Sequence, residues 1–305
     1  MSERERYRKF LHFQRGTGVP SMEPGPLLST WERWKKEGLN PELDPHDYRG
    51  WCQAFGWDNW PLSLSLEVER KHLYQEEILS QDDRTVTKRG NDGSIIRHNR
   101  GPHKTIPQLL RPAVTNLEEW RNLKAWLLEG LSQSLSQKAE DVFQKAASAQ
   151  IPVCLHAGSL VGQVRNWLGF EGFCYWLYDH PSLVEDMMET CTLLAEAAVN
   201  AFGQRNLPLE EVHFWEDICY RNGPIISPHL FQKLAVPRYR RVVELARKYG
   251  YDRVSVDSDG YLWPLLPGWI EAGVTVFAPL EVQAGMDVNQ VQEKYGGQVV
   301  LMGGL

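Results

Sequence analysis

Residues 251–283, YDRVSVDSDGYLWPLLPGWIEAGVTVFAPLEVQ, constrain the fold more tightly than any other stretch of the chain. Two short apolar runs, Arg253 to Val256 and Val274 to Ala278, read as strands. Between them Trp263 to Ala272 reads as a helix closed by Gly273. A strand, a helix and a strand in this space make a βαβ unit, whose strands are parallel and whose crossover is right-handed. The first strand runs directly into Asp257-Ser258-Asp259-Gly260. Side chains alternate along a strand, so Asp257 and Asp259 leave on one face. The C-terminal ends of parallel strands are where such folds gather their chemistry. Asp, Ser and Gly are also ordinary turn and cap residues, so the pair alone is equally well read as local structure.

The same alternation extends over most of the chain. Strands are expected near residues 19, 55, 152, 212, 253, 274 and 299, with helices over 2–14, 28–38, 116–149 with a break near Gly130, 181–203 and 227–249. Asn116 with Glu119 is a capping-box pattern, Ser227-Pro228 is a cap followed by a first-turn proline, and Pro237 predicts a kink. Residues 64–113 break the pattern. Ile78 to Lys88 and Ser94 to His98 flank Gly90-Asn91-Asp92-Gly93, a strong hairpin signal, and so predict an antiparallel insertion over one mouth of the main fold. Strands alternating with helices over 305 residues predict a parallel α/β fold, one large barrel or two smaller domains, and the strand count agrees with a (β/α)8 TIM-type barrel forming a single domain over 1–305. Seven strands are counted where eight are needed, so the chain is read as lacking its last βα unit.

Composition narrows the function. The net charge is −6, and no basic block interleaved with aromatics occurs, which argues against nucleic acid. The charged start MSERERYRKF is no secretory signal, and no run approaches the apolar length of a membrane span, so a cytoplasmic protein is expected. Five scattered cysteines without a CxxC predict reduced thiols. No nucleotide cofactor is expected, the partner is a small-molecule substrate, and the oligomeric state is left open by the sequence.

The expected strand ends present Glu23, Asp58, His156, Glu216, Asp217, Asp257, Asp259 and Glu281. In a barrel these share one mouth, with Trp57 and Arg165 beside them. Crowded carboxylates repel, so a cation, a cationic substrate group, an arginine such as Arg165 or Arg221, or raised pKa values must offset them. A lone His156 is more often a satisfied core residue than a ligand or base.

Phe55-Gly56-Trp57-Asp58, Trp167-Leu168-Gly169-Phe170-Glu171-Gly172, Glu216-Asp217 leading to Gly223-Pro224-Ile225-Ile226-Ser227-Pro228, Pro237-Arg238-Tyr239, Asp257 to Gly260, Glu271-Ala272-Gly273-Val274 and the final Gly303-Gly304 stand in an order that resembles the uroporphyrinogen decarboxylase superfamily. That superfamily holds the decarboxylases and the zinc-dependent methyltransferases that work with corrinoid proteins. The resemblance implies a (β/α)8 barrel. It places Asp58 at the decarboxylases' catalytic aspartate, whose implied role is to stabilise cationic pyrrole intermediates. It places Asp257 and Asp259 at the methyltransferases' His-x-Cys metal ligands. The chain departs from both patterns. Val19 to Pro24 lacks the arginines that grip a polycarboxylate, and two carboxylates suit a harder ion than thiol-activating zinc does.

Three readings follow. In the first, a divalent metal, zinc or a harder ion, is held by Asp257 and Asp259 with Glu216 or Asp217. It polarises a substrate oxygen for methyl transfer, with a corrinoid on a partner protein as acceptor. In the second, a metal-independent decarboxylase of uroporphyrinogen or a related pyrrole acid centres on Asp58. In the third, the chain binds a tetrapyrrole without catalysis, and its twelve tryptophans, Trp57 among them, supply flat surfaces.

Overall fold

The computed structural model describes every residue except 15, 17, 67–71, 101–105, 130, 132–136 and 305. Three helices open the chain, α1 (Glu3–Leu11), α2 (Leu28–Lys36) and α3 (Tyr48–Phe55), followed by the short strand β1 (Leu62–Leu64). Four antiparallel strands come next: β2 (Glu77–Gln81), β3 (Thr85–Arg89), β4 (Ile95–Asn99) and β5 (Gln108–Arg111). After α4 (Leu117–Leu128) and α5 (Gln137–Ser148), strands and helices alternate. The order is β6 (Val153–His156), α6 (Gly162–Asp179), α7 (Pro181–Gly203), β7 (Glu211–Trp215), a small ribbon of β8 (Cys219–Tyr220) and β9 (Gly223–Pro224), α8 (Pro228–Leu234) and α9 (Val236–Lys248). The chain then runs through β10 (Val254–Asp257), α10 (Leu266–Ala272), β11 (Val276–Leu280), α11 (Val288–Tyr295) and β12 (Val300–Gly303).

One parallel sheet organises the molecule, in the order β1-β6-β7-β10-β11-β12. Each strand of this sheet lies beside the sheet's preceding strand in chain order, without the reversal of order that marks a doubly wound sheet. This stepwise winding is compatible with a TIM-type fold. Among the described residues β1 and β12 each have one neighbour, so six parallel strands are paired in an open array.

Two of the seven expected strands are absent. The run near residue 19 has no regular structure, because Pro20, Pro24 and Pro26 remove ladder donors and Gly18 and Gly25 turn left-handed, at φ 75° and 93°. Phe55 ends α3, which Gly56 caps at φ 69°, and the strand follows at Leu62. The other five expected strands are present as β6, β7, β10, β11 and β12.

Alternation divides the sheet into two faces. Leu62, Leu64, Val153, Leu155, Val212, Phe214, Val254, Val256 and Phe277 project to one side and join the main core beneath the helices, with Trp120, Trp269, Tyr239 and Phe173. The opposite face carries Ser63, Cys154, His156, Glu211, His213, Trp215, Ser255 and Asp257. Its lower part is closed by α1, whose Tyr7 and Leu11 pack on Val276 and Val300. Helix α1 lies along the N-terminal edge of the sheet. Arg4 and Arg8 hold Glu210 just before β7, the Arg4 amide meets Gln150 before β6, and His12 contacts Arg253 before β10.

The insertion is a four-stranded antiparallel sheet, β2-β3-β4-β5, rather than one hairpin. Asp92-Gly93 joins β3 to β4 as expected, with Gly93 at φ 88°. The run 78–88 is two strands because Asp82 Oδ1 accepts the amides of Arg84 and Thr85 and turns the chain between them. The expected caps form: Asn116 accepts from the Glu119 amide, Ser227 from Leu230, and α8 breaks into α9 at Ala235, ahead of Pro237. All five cysteines are free. Among the described residues no helix is long and apolar enough to cross a membrane.

Candidate active site

The six strands run parallel, so their C-terminal ends share one edge. There β7 delivers Asp217, β10 delivers Asp257 and Asp259, and β11 delivers Glu281. The loops after β7 and β10 are stitched together. The Glu216 amide donates to the Asp257 carbonyl at 2.8 Å, the Ile218 amide to Ser258 Oγ at 3.1 Å, the Asp259 amide to Asp217 Oδ1 at 3.4 Å, and the Tyr261 amide to the Tyr220 carbonyl at 3.0 Å. Gly260 is required: it turns at φ 89°, and a Cβ there would lie 2.6 Å from the Cys219 carbonyl. Its amide donates to Glu281 Oε2 at 2.6 Å, which ties the β11 end to the same cluster. Asp217 turns the chain at φ 48°, a conformation that costs a non-glycine residue energy but that Asp tolerates better than most.

Four carboxylates therefore converge, and among the described residues none is ion-paired with a lysine or arginine. The consequence is electrostatic. Burial, then the charges of Asp217 and Asp259, push the Asp257 carboxyl up to about 7. Burial, Asp217 and Glu281 raise Asp259 as well. At neutral pH Asp257 is balanced between its acid and its base form, which is the condition for exchanging a proton with a substrate.

Glu216, expected beside these acids, is elsewhere. Alternation sends its side chain to the helix side, where it is wholly buried, with 0% exposure. Its two oxygens accept the amides of Leu160 (2.7 Å), Val161 (3.0 Å) and Gly162 (2.8 Å), the hydroxyl of Ser159 (2.9 Å) and that of Tyr239. These amides open α6, so the carboxylate caps a helix N-terminus, where a negative charge is favoured. Burial raises its pKa while the hydrogen bonds from Tyr239, Gly162, Leu160 and Val161 oppose the rise. With its lone pairs engaged, Glu216 is not available to join a metal site with Asp257 and Asp259. Gly162 has no room for a side chain, because a Cβ would fall deep inside van der Waals contact of the Glu216 carbonyl oxygen.

His156 ends β6 on the polar face, where its Nδ1 accepts the Gly158 amide at 2.9 Å. Its edge faces the His213 ring, with centroids 5.8 Å apart. His213 Nδ1 lies 2.9 Å from Ser255 Oγ. Burial lowers both histidines, His213 to about 4 with His156 as a second cause, so both rings are neutral near pH 7. Below them the buried Glu211 bonds Tyr7 Oη at 2.8 Å and is raised to about 7, chiefly by burial. Trp215 is paired in register with Asp257, and the Arg165 guanidinium lies 5.9 Å from its ring centroid. His213, Ser255, Glu211 and Trp215 went unremarked in the sequence. The signal was present, since Glu211-Val-His-Phe-Trp215 alternates polar or amphipathic with apolar residues at a strand's period.

Three expected residues stand apart. Asp58 precedes β1 and so lies towards the N-terminal edge, where it bonds Arg6 on α1 and the Ser21 amide. Glu23 is exposed in a coil, and only its carbonyl is engaged, by Tyr48 Oη at 2.7 Å. Trp57 stacks on Phe55 with centroids 4.8 Å apart. The expected metal finds Asp257 and Asp259 but no third ligand: among the described residues no three His, Cys, Asp or Glu side chains are grouped to hold an ion.

No family model and no curated protein matches the sequence. Among solved structures, a methyltransferase from Methanosarcina mazei superposes with a TM-score of 0.57 at 12% identity, over 99% of this chain and 82% of that one. The chain shares that protein's fold. At this identity the likeness establishes the architecture, and the site must be argued from its own residues.

Proposed function

We propose that the C-terminal edge of the sheet is the active site of a methyltransferase-like enzyme. The observation that carries this reading is the convergence of Asp217, Asp257, Asp259 and Glu281 without a paired cation, in a fold shared with a methyltransferase. Such a cluster attracts a substrate group that is positive or becomes so, and it repels a polycarboxylate. Asp257 in its acid form supplies the proton that a departing heteroatom needs. In the transfer the bond between methyl carbon and heteroatom breaks and its electron pair stays on the heteroatom. A neutral ether or thioether donor, whose heteroatom would otherwise leave as an anion, takes the proton from Asp257, whereas an ammonium donor leaves as the neutral amine and needs none. The methyl carbon accepts an electron pair from the acceptor, for which we propose a reduced corrinoid carried by a partner protein.

The test is to incubate the full chain with free reduced cobalamin and N-, O- and S-methylated donors, following methylcobalamin by its absorbance. Methylation that Asp257→Asn abolishes is the expected result, and no methylation from any donor class would overturn the reading. The decarboxylase alternative gains no support from the position of Asp58, which is engaged by Arg6 and Ser21 away from the acid cluster.

A further inference from the structure

Arg165 differs from the other arginines. Among the described residues it is the only arginine not exposed to solvent that lacks a carboxylate partner. It belongs to the first turn of α6, the helix whose opening amides hold Glu216, so its backbone is firmly placed. Its guanidinium lies over Trp215, and its Nε is shielded from water with no hydrogen-bond partner. A buried guanidinium N–H without a partner is costly. Four carboxylates stand on the adjoining strand ends, yet none reaches it. Trp215 connects the two regions, because its Cα is paired with Asp257 and its ring faces Arg165. One site thus presents an unpaired cation and an unpaired group of anions, and neither neutralises the other.

We propose that the substrate is a zwitterion, a small molecule bearing a methylated ammonium group and a carboxylate. The ammonium group faces Asp217, Asp257, Asp259 and Glu281. The carboxylate takes the planar fork of Arg165, which binds such groups through two parallel hydrogen bonds. A cation without the carboxylate leaves Arg165 unsatisfied, and an anion without the ammonium group meets the acid cluster. The inference rests on the methyl-transfer reading for its account of why the nitrogen is methylated, but it is tested by binding alone.

Isothermal titration of the full chain with trimethylglycine, tetramethylammonium and acetate separates the contributions. Trimethylglycine is expected to bind at least about tenfold more tightly than tetramethylammonium, with acetate weakest. Arg165→Met should bring trimethylglycine to the level of tetramethylammonium without weakening the latter, and Asp259→Asn should weaken both. Arg165→Lys, which keeps the charge but loses the fork, serves if the methionine variant does not fold, and should retain part of the preference. Equal binding of the two ammonium compounds, a preference that survives Arg165→Met, or no binding of trimethylglycine would each overturn the inference. If trimethylglycine fails while another donor still methylates cobalamin, the zwitterion is refuted and the methyl-transfer reading stands.

Discussion

Asp257→Asn should make the protein more stable, and increasingly so as the pH rises. The Asp257 carboxyl moves from an ordinary 3.8 to about 7 on folding. The folded state therefore holds this proton more tightly than the unfolded chain does. The resulting stability is fully present below 3.8 and is lost as the pH climbs towards 7. Above that point the ionised carboxylate remains as a cost, which about three units at 1.36 kcal/mol each would put near 4 kcal/mol. The group is not fully sealed from water, and screening roughly halves the figure, to about 2 kcal/mol. Asparagine has the same shape and no charge to lose. Urea denaturation of both proteins from about pH 3.5 to about pH 8.5 should show curves that converge at the acid end. At the alkaline end the variant should lead by about 2 kcal/mol, with an unchanged slope. A variant no more stable at about pH 8, or more stable by an amount that ignores pH, would refute the electrostatic account of the cluster. The same substitution should abolish turnover, so this site gives up stability to hold its charge pattern.

Two further outcomes test the frame around the site. Gly162→Ala should cost roughly 3 kcal/mol or more, read as a lower melting temperature, because the added methyl must push the Glu216 carbonyl away from α6. Asp58→Asn should lower stability by about 2 kcal/mol through its lost bonds to Arg6 and Ser21, yet leave trimethylglycine affinity unchanged; a selective loss of binding would return Asp58 to the site.

The parts of the fold written in local chemistry were legible. Asn116, Ser227, Pro181 and Gly273 mark helix ends because caps and breakers act within a few residues, and each sits where expected. The turn at Asp257 to Gly260 was legible for the same reason, and its two aspartates do flank one strand end. The N-terminal segment was not. Gly18 to Gly25 reads as a short strand ending in a turn, and Phe55 to Pro61, without a regular period, as a strand end, but prolines, glycines and a helix cap decide their structure. Misplacing the strand at 55 moved Asp58 from one edge of the sheet to the other. Glu216 shows a different limit. A carboxylate at a strand end reads as catalytic until its alternation is followed one residue further, which turns it away from Asp257 and into the donors at the start of α6. The pairing of Arg165 with Trp215 could not be read at all, since it joins residues 50 positions apart through tertiary packing.

The stitching of the β7 and β10 loops has a consequence for how this site can change. Ile218 bonds Ser258, Tyr261 bonds Tyr220, and Gly260 admits no side chain against Cys219. The two loops behave as one mechanical part, so neither can lengthen, shorten or be exchanged while the other keeps its shape. New specificity on this scaffold must come from the partners outside that part, Arg165 on α6 and Glu281 after β11, or from replacing both loops in a single step.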